Sequence, residues 1–355
     1  MDAKRMTAMT TALCLTILWI LSCPFFPLTG ASAEAGEKAK LTLMIYMVGS
    51  NLETDYGAAS RTIDRIAEAA ANGPEINLLM MTGGSKSSLK WNAGKSHIWE
   101  VRSHRSRALW NEELMNMGEP ETLSFFLNYC AENRPAERYA LILWGHGNGP
   151  LGFGYDELFE MDPVTMEEFA QAMEKSPFSN ENKLAWLAYD ASFMGNLEVL
   201  QAVAPYTEIM IADEFEVPTD GLNYDFLNEA DILPDGEKIS RCIIDSYLNA
   251  YSQTDPIIAA TAIRTEKAEQ ILQLYHALLS ALKEDKPEDY ETVLEKSRIK
   301  MMPCQSAFYD LGTLAESSRE YFPQESDDLI RAIEEATVYH RNNLNSSEGL
   351  STIIN

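Results

Sequence analysis

A histidine and a serine each follow directly after an apolar run in this sequence. The run Tyr139–Trp144 ends in Gly-His146-Gly, and the run Leu184–Tyr189 ends in Asp190-Ala-Ser192. A histidine takes up and returns a proton near neutral pH, and a serine hydroxyl becomes a nucleophile when a base activates it. The residue types therefore predict hydrolytic chemistry, provided that the fold brings the two strand ends together.

The two apolar runs are typical of strands that are buried on both faces of a parallel sheet. Further strands are predicted at 41–48, 77–81, 208–213 and 257–263, and helices at 55–72, 120–133, 165–175, 237–253 and 266–284. This alternation predicts an α/β fold with a mostly parallel sheet and helices on both faces. His146 and Ser192 would then lie side by side at the carboxyl edge, where such sheets bind ligands. Taken alone, Ser192 is better explained as a helix N-cap and Asp190 as a structural carboxylate.

The composition is that of a globular protein with an acidic surface. The chain has 355 residues, of which 46% are hydrophobic, and its formal net charge is −26. Such a charge disfavours binding to nucleic acid and to anionic membranes, whereas basic peptides would be attracted at low salt. An acidic surface that serves only solubility is the alternative interpretation.

Residues 1–33 have the features of a secretory signal peptide. Lys4 and Arg5 precede an apolar stretch, and Ala31-Ser-Ala33 is a small-x-small cleavage site. We therefore expect export with cleavage near Ala33, a linker at 34–40, and no transmembrane span in the mature chain. The alternative is a lipoprotein that is anchored through Cys23.

The residues around His146 and Ser192 resemble a known family. Trp144-Gly-His-Gly and Tyr189-Asp-Ala-Ser-Phe-Met-Gly are similar to the two catalytic motifs of the clostripain family of cysteine peptidases, relatives of caspases and gingipains. The resemblance implies a caspase-like (caspase–hemoglobinase) three-layer sandwich. It also implies a peptidase-type domain at 41–265 and a mainly helical C-terminal region at 266–355, packed on the same domain and possibly truncated.

The same resemblance implies roles for individual residues. His146 would be the general base and acid, and the backbone N–H groups of Gly147 and residue 192 would form the oxyanion hole. Asp190 would line the pocket for an Arg or Lys side chain of the substrate, and Asp213 is a weaker candidate for that pocket. Some family members depend on calcium, but no calcium-binding or zinc-binding pattern is evident, and Cys130, Cys242 and Cys304 are widely spaced.

In the family, the position that corresponds to Ser192 holds the cysteine nucleophile. A serine hydroxyl does not ionise unaided, so it needs a base that a third group orients, and no carboxylate is identifiable for that role. The family's self-processing would require a basic residue between the two motifs, but Gly147 to Glu174 contains no Lys or Arg. We therefore expect an inactive or severely weakened enzyme that stays one chain.

Three functions follow from this sequence. The first is a secreted peptidase homologue that binds Arg/Lys-containing peptides in an acidic cleft, without any certain cofactor and as a monomer. The second is a slow serine-type endopeptidase that cuts after basic residues. The third is a cell-surface interaction module in which the cleft is a relic.

Overall fold

The computed structural model describes residues 38–70, 76–102, 104–229, 231–251, 257–299, 308–343 and 350–353. The predicted signal peptide, most of the predicted linker and Cys304 lie outside these ranges. In the described part, Cys130 is buried and Cys242 is partly buried, and both are free thiols. No helix among the described residues is both long enough and apolar enough to cross a lipid bilayer.

The strands, in chain order, are β1 (Ala39–Val48), β2 (Asn77–Gly83), β3 (His97–Arg102), β4 (Arg105–Trp110), β5 (Ala136–Trp144), β6 (Phe153–Asp156), β7 (Asp162–Val164), β8 (Trp186–Asp190), β9 (Ile209–Asp213), β10 (Ala259–Arg264), β11 (Phe308–Asp310), β12 (Thr337–Asn342) and β13 (Ser351–Ile353). Nine of them form one sheet in the order β12-β10-β9-β8-β5-β1-β2-β3-β4. The pairs β6–β7 and β11–β13 form two small sheets.

The helices are α1 (Ser50–Tyr56), α2 (Ala58–Ala69), α3 (Pro120–Asn133), α4 (Met166–Glu174), α5 (Leu197–Val203), α6 (Gly236–Tyr251), α7 (Ala268–Asp285), α8 (Pro287–Ser297), α9 (Leu311–Ser318) and α10 (Pro323–Ala336). They cover both faces of the sheet, because its central strands carry apolar side chains on both faces. Met44 and Tyr46 of β1 enter one core with residues of α3, α5 and α7, whereas Ile45 and Met47 enter the other core with residues of α2 and α6. Strands that are apolar on both faces are buried on both faces for this reason.

Helix starts follow local signals in the sequence. Pro120 occupies the first turn of α3, where its missing N–H costs no hydrogen bond. Thr165 and Glu168 form a complete capping box at the start of α4. Asn196 caps α5 by accepting a hydrogen bond from the Val199 N–H. The N-cap interpretation of Ser192 is therefore wrong, because Asn196 fills that position.

The sheet is parallel only at its centre. The strands β9, β8, β5, β1 and β2 pair in parallel. On either side β10 and β3 run in the opposite direction, and the outermost strands β12 and β4 pair antiparallel with them. The parallel continuation that the alternation predicts thus stops at β9. After β9, the segment 214–235 carries the chain back to the amino edge, where Gly236 lies against Ala185. The helix α6 then returns it to the carboxyl edge, so β10 must run in the opposite direction.

The C-terminal region contributes to the main sheet. Helices α7 to α10 supply its predicted helical content, and β12 pairs with β10 at the edge of the sheet. Ser351 of β13 donates its backbone N–H to the Gly195 carbonyl oxygen at 3.0 Å. The end of the described chain therefore contacts the turn that follows Ser192.

Candidate active site

The two motifs meet because β5 and β8 are parallel neighbours. Trp144 pairs with Asp190 in the register of the two strands, and the Gly145 N–H donates to the Asp190 carbonyl oxygen at 3.2 Å. Parallel strands end at the same edge, so His146 and Ser192 follow side by side. Both of them, together with Asp190, line one cleft of about 70 Å³.

The imidazole of His146 is held by a residue that sequence reasoning did not assign. Its Nε2 lies 2.7 Å from Oδ1 of Asn51, which is on α1 directly after β1. Because an amide oxygen accepts hydrogen bonds, Nε2 carries the proton and Nδ1 keeps its lone pair. The group that orients the imidazole is therefore an amide, whereas the sequence analysis considered only carboxylates for that role. The sequence contained a signal, since Asn51 follows closely after β1, the strand that pairs with β5 on its other side.

The surroundings keep His146 neutral. Burial lowers the pKa of its imidazole below the ordinary value of 6.5. The ring of Tyr155 stands edge-on to it, with ring centroids 6.4 Å apart. At neutral pH the imidazole is therefore the unprotonated base rather than an imidazolium ion.

The hydroxyl of Ser192 is engaged by the loop that covers it. Its Oγ accepts a hydrogen bond from the Val217 N–H at 3.0 Å. Within the described part of the chain, no hydrogen bond joins this hydroxyl to His146. Chemically, the arrangement offers a neutral base and an alcohol in one cleft, but not a base already bonded to that alcohol.

Gly147 brings its backbone against that of Ser192. A Cβ at this position would collide with the Ser192 carbonyl oxygen and would lie 2.9 Å from the Ser192 nitrogen. Only glycine permits so close an approach of two backbones. The structure thus places the backbone of residues 147 and 192 together, as a shared oxyanion site would require.

Asp190 is almost completely buried beneath the covering loop. Its Oδ1 accepts the Leu222 N–H at 3.0 Å, and its Oδ2 accepts the Tyr224 hydroxyl at 2.8 Å. Burial raises the pKa of this carboxyl to about 6, against the opposing effects of these two hydrogen bonds and of the Arg65 charge. The carboxyl therefore lines the cleft and also anchors the loop.

The structure places Asp213 outside the cleft. This carboxyl is buried at the end of β9, where its Oδ1 accepts N–H groups from Phe215 at 2.7 Å and Ala259 at 3.2 Å. It is not among the residues that line the cleft. Burial raises its pKa to about 6 as well. The hydrogen bonds of Asp213 connect the end of β9 to the start of β10 and do not involve the cleft.

The segment 214–222, which we call the cleft loop, forms the outer wall of the cleft. Arg61 pairs with Asp220 at 2.8 Å, and Arg65 donates to the Asp220 carbonyl oxygen. The Tyr251 hydroxyl donates to the Gly221 carbonyl oxygen at 2.9 Å. Asp190 is only 3% exposed, and its two carboxylate oxygens already accept hydrogen bonds from Leu222 and Tyr224. A basic side chain can therefore pair with Asp190 only if the cleft loop moves.

Within the described residues, no group of three or more His, Cys, Asp or Glu side chains is arranged to hold a metal ion. The calcium site that the resemblance suggests has no ligand cluster in that part of the chain.

Comparison with known proteins shows which family this chain resembles. The model of the clostripain family matches residues 45–351. Clostripain of Hathewaya histolytica is 22% identical over 207 residues, which are 49% of this chain and 38% of that protein. The chain thus spans much less than half the length of this curated relative.

Solved structures share the fold. A secreted C11 cysteine protease from Bacteroides thetaiotaomicron, solved with an irreversible peptide inhibitor, matches with a TM-score of 0.71 at 15% identity over 89% of this chain and 92% of that one. An inactive zymogen C11 protease from Parabacteroides distasonis matches with a TM-score of 0.69 at 18% identity over 90% and 92%. This likeness confirms the caspase-like α/β fold. Because the family model covers most of the sequence, this chain belongs to the clostripain family.

Proposed function

We propose that this chain is a clostripain-type peptidase homologue in which Ser192 stands at the position of the cysteine nucleophile, so that hydrolysis is absent or severely weakened. We further propose that its acidic cleft binds Arg/Lys-containing peptides. The family consists of peptidases, so a peptide is the expected occupant of the cleft. The observation that carries the proposal is that, among the described residues, the Ser192 hydroxyl accepts a hydrogen bond from the Val217 N–H and forms none with His146.

The chemistry of the two nucleophiles explains the expected loss. A thiol with a pKa near 8.5 is partly ionised at neutral pH, so it reacts even with a loosely placed histidine. An alcohol is not ionised, so it reacts only when a base is hydrogen-bonded to it. The cleft supplies the base but not that hydrogen bond, which leaves the alcohol unactivated.

The test is the substitution Ser192→Cys. The thiol fits nearly the same volume, so the fold should be retained. We expect the variant to gain cleavage after Arg or Lys by on the order of a hundredfold over the parent, which corresponds to about 2.7 kcal/mol of barrier. A double variant with His146→Ala should lose this gain. A folded Ser192→Cys protein that cleaves nothing would refute the proposal that only the nucleophile is lost.

One observation favours the slow serine-type endopeptidase as a second candidate. Asn51 holds the imidazole of His146 in a fixed tautomer, which is the role of the third group in a catalytic triad. An active-site serine probe decides between the two candidates. Labelling of Ser192 in the parent that is lost in His146→Ala would establish the serine enzyme, whereas an unlabelled parent supports the inactive homologue.

We also propose a pocket preference and a location. Asp190 would pair with the guanidinium or ammonium group of the peptide once the cleft loop has moved, because it is a lining carboxylate of the cleft. Cleavage near Ala33 and export to the medium or the cell surface would fit the N-terminal pattern, with lipidation at Cys23 as the alternative. N-terminal sequencing of the exported protein separates the two. The division into 41–265 and 266–355, and the monomeric state, remain proposals.

A further inference from the structure

All the large apolar side chains that are well exposed among the described residues lie at the carboxyl edge of the sheet, Tyr56 at the end of α1 and the others on loops. They are Tyr56, Leu89, Leu114, Leu151, Phe159 and Met161, and their exposed fractions run from 36% to 85%. These loops follow different strands of the sheet, so their common position does not come from one local segment. Exposed apolar side chains that are concentrated on one face mark interaction sites in soluble proteins.

The turn that carries Phe159 and Met161 is rigidly built. The buried carboxylate of Asp156 accepts the N–H groups of Met117 and Leu158, each at 2.8 Å. The Asp156 carbonyl oxygen accepts those of Phe159 at 3.2 Å and Met161 at 2.8 Å. We call residues 157–161 the apolar turn.

The apolar turn also contains backbone strain. Glu160 and Met161 have φ angles of 58° and 63°, a left-handed conformation that side chains other than glycine rarely adopt. Strained conformations of this kind concentrate at ligand-binding sites, because the surrounding structure must stabilise them. Here the strained turn leaves two apolar side chains partly exposed, Phe159 at 36% and Met161 at 39%.

Side chains of α1 connect the apolar turn to the cleft. Thr54 donates to Glu157 at 2.6 Å, and Lys86 pairs with the same carboxylate at 3.2 Å. Leu52 of α1 lines the cleft, and Tyr56 lies one turn further along the helix. A helix of this length measures about 10 Å, which an extended peptide spans with about three or four residues. One polypeptide can therefore occupy the cleft and the apolar loops together.

Carboxylates accompany four of these apolar side chains, whereas Leu89 is followed by Lys90, which pairs with Asp64. Asp55 precedes Tyr56, Glu112 and Glu113 precede Leu114, and Glu160 lies between Phe159 and Met161, and all four carboxylates are exposed. We propose that these loops form a docking surface for a polypeptide segment that combines basic residues with large apolar ones. This inference rests on the proposed function, because the same polypeptide would place its Arg or Lys in the cleft.

Two fluorescent peptides of equal charge test the surface with the full-length protein. One contains Arg flanked by Leu and Phe, and the other contains Arg flanked by Ser. We expect the apolar peptide to bind on the order of tenfold more tightly, since burial of one large side chain contributes about 1.5 kcal/mol or more. The double substitution Phe159→Ser and Met161→Ser should remove this difference. The two side chains are only 36% and 39% exposed, so the double variant should melt at a lower temperature than the parent, and circular dichroism confirms that it is folded at the temperature of the binding assay.

A matched control and a cleft variant separate the possible outcomes. Ala277→Ser places the same hydroxyl at an exposed position of α7 and should change neither affinity. If the double serine variant keeps the tenfold difference, the surface is refuted, and weaker binding by Asp190→Asn would show that the cleft function stands. If Asp190→Asn leaves both peptide affinities unchanged but the double serine variant removes the tenfold difference, the surface proposal stands and the cleft proposal fails. The parent and the double serine variant are also tested for binding to phosphatidylcholine vesicles. If the variant loses vesicle binding but binds both peptides as the parent does, the surface contacts a membrane and the proposal is refuted.

Discussion

At the residue scale, the geometry around His146 decides which nitrogen can act as a base. The contact with Asn51 fixes the proton on Nε2, and burial lowers the pKa of the ring below 6.5. A lowered pKa in the folded state favours the neutral ring. The stability that this contributes is present above the unfolded-state pKa of about 6.5 and is lost as the pH falls through the folded-state pKa.

We predict that Asn51→Asp raises the pKa of His146, because a carboxylate stabilises the imidazolium ion, whereas the amide does not. Titration of the imidazole by NMR measures the change, and the parent should titrate below 6.5. In the Ser192→Cys background, Asn51→Ala should lower kcat by about tenfold or more, because the ring loses its fixed orientation. Unchanged titration in Asn51→Asp would show that the contact does not form in solution.

The two buried carboxyls make the opposite contribution to stability. Burial raises the pKa of Asp190 and of Asp213 to about 6, above the unfolded value of about 3.9. The folded state therefore binds more protons between these pH values, so the contribution of these two carboxyls to stability is greatest below about pH 3.9 and is lost as the pH rises to about 6.

We predict that Asp213→Asn reduces this loss of stability. The amide oxygen can still accept the N–H groups of Phe215 and Ala259, but it carries no charge to bury. The parent should lose roughly 2 to 3 kcal/mol from this carboxyl between about pH 4 and pH 7, and the variant should not. Urea unfolding across this pH range is the measurement. Parallel curves for parent and variant would show that Asp213 is ionised without penalty.

At the element scale, the cleft loop is held at its outer end by exposed contacts. Arg61 and Asp220 are each about half exposed, so this ion pair contributes little and is screened by salt. The Tyr251 hydroxyl supplies a neutral hydrogen bond to the same end of the loop. These weak contacts suit an element that must move before a basic side chain can enter.

We predict that Tyr251→Phe and Asp220→Asn each increase the rate of amide hydrogen exchange within 214–222, because each removes one contact of the loop. Hydrogen-exchange mass spectrometry of that segment measures the effect. Asp327→Asn is the matched control, since Asp327 forms a similarly exposed ion pair with Arg319 at 2.7 Å. Equal exchange in all four proteins would mean that these contacts do not restrain the loop.

At the scale of the whole molecule, the chain lacks a basic site where the family pattern would place self-processing. The segment from Gly147 to Glu174 has no Lys or Arg. It contains β6, β7 and all of α4, and it packs into the core through Phe153 and Phe169. A cut there would divide an ordered part of the molecule.

We predict that the purified protein stays one chain, and that Ser192→Cys also does not cut itself within 147–174, because the pocket requires a basic residue. Incubation with and without calcium, followed by mass spectrometry of the intact protein, is the measurement. A chymotrypsin digest provides the control for detection of fragments. A self-generated end within 147–174 would contradict both the expected specificity and the single-chain state.

The sequence by itself predicted the central strands, several of the helices and the pairing of the two motifs. Local signals such as Pro120 and the Thr165–Glu168 capping box act within one or two turns, so α3 and α4 were predictable. The doubly apolar runs of β5 and β8 likewise indicated buried parallel strands whose ends share an edge.

Only the tertiary structure decided what touches His146, Ser192 and Asp213. Asn51 is 95 residues from His146, and Val217 is 25 residues from Ser192, so no local pattern reports either contact. The antiparallel direction of β10 depends on how far the segment 214–235 carries the chain before α6 begins. Loop paths of this kind are set by packing over long sequence separations, and the same packing places Asp213 behind the cleft instead of in it.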